Sequence, residues 1–269
     1  MNLFTKHKTL FKIFLGLFFL YLFFLRTYHV GADSSYLHIL IEERASGYNA
    51  RNKVLFDDWD SGGGTYQPMA YMPLANLILY GVFKFFSIGI LQLRLPFVIL
   101  TCIALVLFYL LLKRRYGTSY GLLGLALLGL SYPMVEWNRS SLNENLFLFF
   151  IVLILYLYQR MIDEGKPKYY FWLGLLLTIF ILIKVSGLLF MLLGLVFLSR
   201  RIFSEKDRYL KKREFINLLS GFISGVVICF GILFFTEIYK YVVPFYRMLS
   251  ETSAVWRNDA IPRRIFYIK

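Results

Sequence analysis

Two adjacent acids, Glu42 and Glu43, open a short polar stretch that runs to Lys53 in a chain that is otherwise almost wholly apolar. At helical spacing Glu42, Ser46, Asn49 and Lys53 fall on one stripe, and Glu43, Gly47 and Ala50 fall on the next. An acid there faces very small side chains, which leaves room for a substrate beside a carboxylate able to take the proton of an attacking hydroxyl. Three cations, Arg94, Arg139 and Lys184, interrupt or border apolar runs. A charge at such depth is costly in lipid unless it is paired or functional, and cations so placed suit a phosphate. Glu144, five positions after Arg139, is a further candidate acid. The plainer readings are a solvated helix face for Glu42 and Glu43 and an interfacial ion pair for Arg139 and Glu144. For Lys184 it is snorkelling to the headgroups, and for Arg94 a helix-end anchor.

The elements that must position these residues are membrane helices. With 58% hydrophobic residues in 269, the chain cannot be a soluble globule with one core. Its net charge of +14 does not imply nucleic acid, because the basic residues gather in short stretches between apolar segments, where they orient the chain in a bilayer. Anionic lipid or a phosphate-bearing substrate is the expected partner. Cys102 and Cys229 sit inside apolar runs, which argues against a disulfide framework, and His7, His29 and His38 lack metal-ligand spacing. No metal or other cofactor is expected, and no Gly-rich nucleotide loop is present.

A spanning helix needs about 20 apolar residues. Seven spans are predicted, at 10–25, 95–112, 119–132, 145–158, 169–183, 185–198 and 215–235. The first lacks a small-residue cleavage site and reads as a retained helix. Segment 73–91 carries Lys84 and reads as an in-plane amphipathic helix, and 169–198 reads as a hairpin turning at Lys184-Val185-Ser186-Gly187. With those two choices the four basic clusters, around Lys8, Arg114, Lys166 and Lys211, all fall on the cytoplasmic side. The amino terminus is then cytoplasmic, the carboxyl terminus outside, and most acids extracytoplasmic. The long first outer loop, 26–94, carries a helix near 34–53 with Asp33 as N-cap, a turn at Gly62-Gly63-Gly64, and the in-plane helix.

In order along the chain, Glu42-Glu43, Asn49-Ala50-Arg51-Asn52-Lys53, Phe56-Asp57-Asp58-Trp59, Tyr71-Met72-Pro73-Leu74, Arg94-Leu95-Pro96 and the loop Asn138 to Asn145 resemble the GT-C superfamily of membrane glycosyltransferases. The branch they resemble most is that of the protein O-mannosyltransferases and aminoarabinose transferases, of glycosyltransferase family 39 type. The leading acid is usually Asp in that family and is Glu42 here. The resemblance implies a GT-C bundle of about seven transmembrane helices forming one catalytic module over 1–269, with juxtamembrane helices in the first outer loop. Relatives continue further, so the family's carboxyl-terminal region is expected to be absent. It also implies transfer of a sugar from a polyprenyl-phosphate carrier to a lipid, glycan or protein acceptor, outside a bacterial cytoplasmic membrane. Glu42, Glu43 and Glu144 are then the catalytic candidates, and Asn49, Tyr66, Tyr71, Arg94, Arg139 and Lys184 the substrate-binding ones. Tyr66 and Tyr71 also fit a membrane-interface aromatic belt. Two other readings stand beside this one: a transporter or lipid flippase, and a noncatalytic, truncated remnant.

Overall fold

The computed structural model describes residues 3–32, 37–59, 73–184, 186–204, 208–236, 238 and 240, and the regular structure among them is helical. Asp33, the glycine turn at 62–64, Tyr66 and Tyr71 lie outside the described residues, as does the side chain of Glu42. The described helices are α1 (Leu3–Thr27), α2 (Leu37–Phe56), α3 (Pro73–Phe86), α4 (Ile90–Tyr116), α5 (Thr118–Leu130), α6 (Tyr132–Asn138), α7 (Asn143–Glu164), α8 (Lys168–Ile179), α9 (Gly187–Ser204) and α10 (Arg208–Phe235).

Five of them, α1, α4, α7, α9 and α10, are long and apolar enough to cross a membrane. Outward-facing Leu20, Val227 and Phe230 stay exposed, as a lipid-facing surface requires. The chain is an all-α polytopic membrane protein. The seven expected spans are therefore five intact helices, one broken pair and one short segment. The short one is α8 with its 3-10 turn, Lys168–Leu182. The broken pair is α5 and α6, bent by 66°. Its cause is local: Ser131 leaves helical geometry at ψ 120°, and Pro133, in the first turn of α6, has no N–H to give to the carbonyl of Gly129. A second difference concerns the in-plane helix, which stops at Phe86 instead of reaching 91. Ser87 turns into the left-handed region at φ 75°, so the chain restarts at Ile90 and the second span begins earlier than 95.

The hairpin expected at 184–187 is present, and Gly187 is needed there: a Cβ would sit 2.4 Å from the carbonyl oxygen of Phe180. α8 and α10 then pack backbone to backbone. A Cβ on Gly221 would lie 2.0 Å from the Phe171 carbonyl oxygen, and one on Gly174 2.5 Å from that of Leu218. Such close approach through small residues replaces the hydrophobic drive that lipid removes. The Gly221 and Gly225 spacing, visible in the chain, was the available signal for this contact.

One core cluster fixes where α2 sits against the bundle. Ala50 of α2, Ala75, Leu79 and Phe83 of α3, Phe97 of α4, Leu146 of α7 and Phe180 with Ile183 at the 3-10 turn pack together. They tie the polar helix α2 to the first turns of α4 and α7. Arg94 and Arg114 are 20 positions apart on α4, or about 30 Å at the α-helical rise, the thickness of the hydrocarbon layer. Arg114 pairs with Asp163 at the far end of α7. α10 runs parallel to α8, with Phe171 beside Gly221 and Thr178 beside Gly225, so Lys211 and its neighbours share the end occupied by Arg114 and Lys168. The bundle thus has a basic end and, a membrane thickness away, the end holding Glu43 and Arg94.

Candidate active site

Glu43 leaves α2 from a helix held by the core just described and is buried, as is Arg94 in the first turns of α4. The two meet as a fork. Arg94 Nε donates to Glu43 Oε1 at 2.8 Å, and Arg94 Nη2 donates to Oε2 at 2.7 Å. Glu43 Oε1 also accepts the backbone N–H of Ser141 at 2.9 Å and the Ser141 hydroxyl at 3.2 Å. Arg94 Nη1 donates to the carbonyls of Val30 at 2.6 Å and Ala32 at 2.5 Å. A planar guanidinium suits such two-point carboxylate recognition. Glu43 and Arg94 were expected to face substrate; in this structure their polar atoms are engaged by protein.

Arg139 does comparable work beside them. Its Nη2 donates to the carbonyls of Tyr28 at 2.6 Å and His29 at 2.8 Å, while Nη1 lies 3.8 Å from Glu136 Oε2. His29 takes the left-handed conformation at φ 52°, which turns the chain sharply as it leaves α1. Arginines 94 and 139 therefore hold the carbonyls of one tight turn after α1 from two sides. Glu43 and Arg139 lie at the same end of the bundle, since Glu43 bonds Ser141 in the loop that follows Arg139, and its partner Arg94 joins Arg139 at the turn after α1.

Below this lies a network that sequence reasoning missed. Arg26, the largest fully buried side chain among the described residues, donates through Nη1 to the carbonyls of Leu22 and Gly129, each at 3.1 Å. The Gly129 carbonyl is the one that Pro133 leaves without a helical donor. Arg26 Nε and Nη2 both donate to Asn138 Oδ1, at 3.2 and 3.1 Å. Asn138 Nδ2 donates to Asn145 Oδ1 at 2.8 Å, and Asn145 Nδ2 donates to the carbonyls of Trp137 at 3.0 Å and Ser140 at 2.8 Å. The loop carrying Ser141 is thus fastened beneath by two asparagines and above by Glu43. An arginine closing an apolar run reads as a snorkelling anchor, so only the polar pair Asn138 and Asn145 hinted at this arrangement.

Glu144 and Lys184 differ from the fork in exposure. Lys184 Nζ donates to Glu144 Oε1 at 3.0 Å, with side chains 38% and 36% exposed, so the pair is only part-buried. Glu144 Oε2 has no hydrogen-bond partner among the described residues. Asn49 is buried on α2 with contacts of its own. Lys53, on the Glu42 stripe, reaches Asp57 Oδ1 at 2.7 Å, and this bond holds the Asp57 carboxyl below its ordinary range. Trp59 Nε1 donates to the Thr236 carbonyl at 2.9 Å, so the loop after α2 is pinned to the end of α10.

A groove of about 260 Å³ opens one to two turns along α2 from Glu43, lined by Gly47, Tyr48, Arg51, Phe83, Ile90 and Leu93. Its walls are apolar and the Arg51 guanidinium lies 5.8 Å over the Tyr48 ring. Among the described residues no three His, Cys, Asp or Glu side chains gather as metal ligands would.

The model of the dolichyl-phosphate-mannose-protein mannosyltransferase family matches residues 67–235. Neither a curated protein nor a solved structure matches the chain. The family match spans α3 to the end of α10, the elements that carry Arg94, Arg139, Ser141, Glu144 and Lys184. The chain belongs to the dolichyl-phosphate-mannose-protein mannosyltransferase family, whose members are GT-C-type membrane glycosyltransferases drawing their sugar from a lipid-linked donor.

Proposed function

We propose that this protein transfers a sugar from a polyprenyl-phosphate carrier to a lipid, glycan or protein acceptor on the extracytoplasmic face of a bacterial cytoplasmic membrane. The observation that carries this reading is the buried Glu43–Arg94 fork, tied to Ser141, at the end of the bundle a membrane thickness from the basic clusters. The positive-inside rule puts those clusters in the cytoplasm and the fork outside.

The division of labour follows from occupancy. Glu43 is neutralised by Arg94 and holds Ser141, so it braces α2 against α4 and the 139–142 loop. Glu42, its neighbour in sequence, then takes the proton as the acceptor oxygen attacks the anomeric carbon and the sugar–phosphate bond breaks. The proton moves from acceptor hydroxyl to carboxylate, and the bonding electrons leave with the carrier phosphate. Lys184 is the cation best placed to meet that charge, since its ammonium is half-exposed and held by a single bond to Glu144. The groove at Tyr48 and Arg51 supplies an apolar berth for the first isoprene units near the reacting carbon.

Membranes from cells expressing the protein, incubated with a radiolabelled polyprenyl-phosphate sugar, supply the test. Glu42→Gln should lower transfer by about 10²-fold or more while the thermal midpoint of the purified protein stays put. Glu43→Gln should lower both. Transfer by Glu42→Gln at the wild-type rate would remove the assignment.

A further inference from the structure

At the basic end, a second groove of about 330 Å³ is lined by Ile202 and Phe203 on α9 and by Lys211, Lys212 and Phe215 on α10. The Lys211 ammonium lies 4.9 Å over the Phe203 ring, so its positive charge is held across the mouth. Ile202 is fully buried, and among the described residues no acid lines the groove. Glu214, on the same turn of α10, is buried with interactions of its own. The stretch 200–215 carries seven basic and three acidic residues in sequence, so its net charge is positive.

Depth identifies the occupant. α9 and α10 both cross the membrane, and this groove sits where their apolar lengths give way to basic residues, which is headgroup level. A groove lined by Ile202, Phe203 and Phe215 together with two lysines, at that depth, suits a phospholipid whose net charge is negative. We propose that the α9–α10 groove binds an anionic phospholipid, with its phosphate between Lys211 and Lys212 and the upper part of one acyl chain along Ile202, Phe203 and Phe215. Basic clefts between transmembrane helices suit such headgroups, because each lysine near the surface adds to the attraction and the seated chain adds apolar burial. The lipid would bridge α9 and α10 close to where they are consecutive in the chain.

Native mass spectrometry of the full protein released from detergent, titrated with phosphatidylglycerol or phosphatidylcholine, tests this without any transferase assay, so its failure is separable from that of the enzymatic reading. Phosphatidylglycerol should be retained and phosphatidylcholine lost. Lys211→Gln/Lys212→Gln should weaken phosphatidylglycerol binding by about 30-fold, and Phe215→Ala should weaken it several-fold with all charges intact. The charge-matched variant Lys113→Gln/Arg115→Gln, at the same end on α4, should bind as wild type. Equal weakening by both double variants would mean diffuse attraction and overturn the site, as would retention unaffected by Lys211→Gln/Lys212→Gln. Displacement of the lipid by inorganic phosphate beyond the effect of sodium chloride at equal ionic strength would also overturn it, by showing a site for the bare anion.

Discussion

The two ends of the bundle use the same chemical groups to opposite effect. At one end Glu43 and Arg94 form a pair with side chains only 3% and 4% exposed, and almost every polar atom around them has a protein partner. At the other, Arg114 meets Asp163 and Glu164, and Arg160 and Lys166 join Glu164, with Arg114 and Asp163 about a third exposed. Water screens the second set, and such pairs contribute little each. The first set has no water to fall back on, so removing one partner leaves a buried charge uncompensated. The lesson is that burial and geometry, not pair count, set the two ends apart: the fork joins α2, α4 and the 139–142 loop in one register.

Substitutions can break or sharpen that contrast. Glu43→Gln should destabilise the protein most, by about 3–5 kcal/mol, seen as a lowered thermal midpoint in detergent together with lost transfer; a wild-type midpoint would show that the fork is not the brace. Asn138→Ala removes the acceptor shared by two Arg26 nitrogens and one contact to Asn145, and should cost about 1–3 kcal/mol by the same measurement. Glu144→Gln should leave the midpoint nearly unchanged, yet lower kcat/KM about tenfold, the equivalent of roughly 1.4 kcal/mol, because Lys184 loses the partner that aims it. Arg114→Gln should do least: a change within about 1 kcal/mol that shrinks further as salt rises, with transfer intact. Should Arg114→Gln prove as damaging as Glu43→Gln, the distinction between the ends collapses.

Much of the architecture was legible because lipid imposes a simple rule on sequence. Long apolar runs bounded by charges had to be helices, and the turn at Lys184 to Gly187 declared itself through a cation and a glycine. The break at Ser131 was less visible: the run 119–132 is apolar throughout, and Pro133 stands just past its end, where proline often merely starts a new helix. Only the pairing of α1 with the bend, through Leu22, Arg26 and Gly129, explains why the break is tolerated. The acids and arginines of the site were readable as chemically capable groups, but not as partners. Glu43 and Arg94 are 51 positions apart, and Glu43 and Ser141 are 98 apart. No local periodicity encodes such contacts.

The amino-acid order alone therefore determined a polytopic helical chain with its basic clusters between apolar runs, since hydrocarbon excludes charge and unsatisfied backbone wherever they occur. Folding decided which charged groups are buried against one another and which stay part-exposed. That choice depends on distances among α1, α2, α4 and the loop before α7, and those are set by packing of small and aromatic side chains far away in sequence. Arg26 shows the difference most plainly: by sequence it is an anchor at a helix end, and by structure it is the buried cation that satisfies a carbonyl freed by a proline more than a hundred residues later.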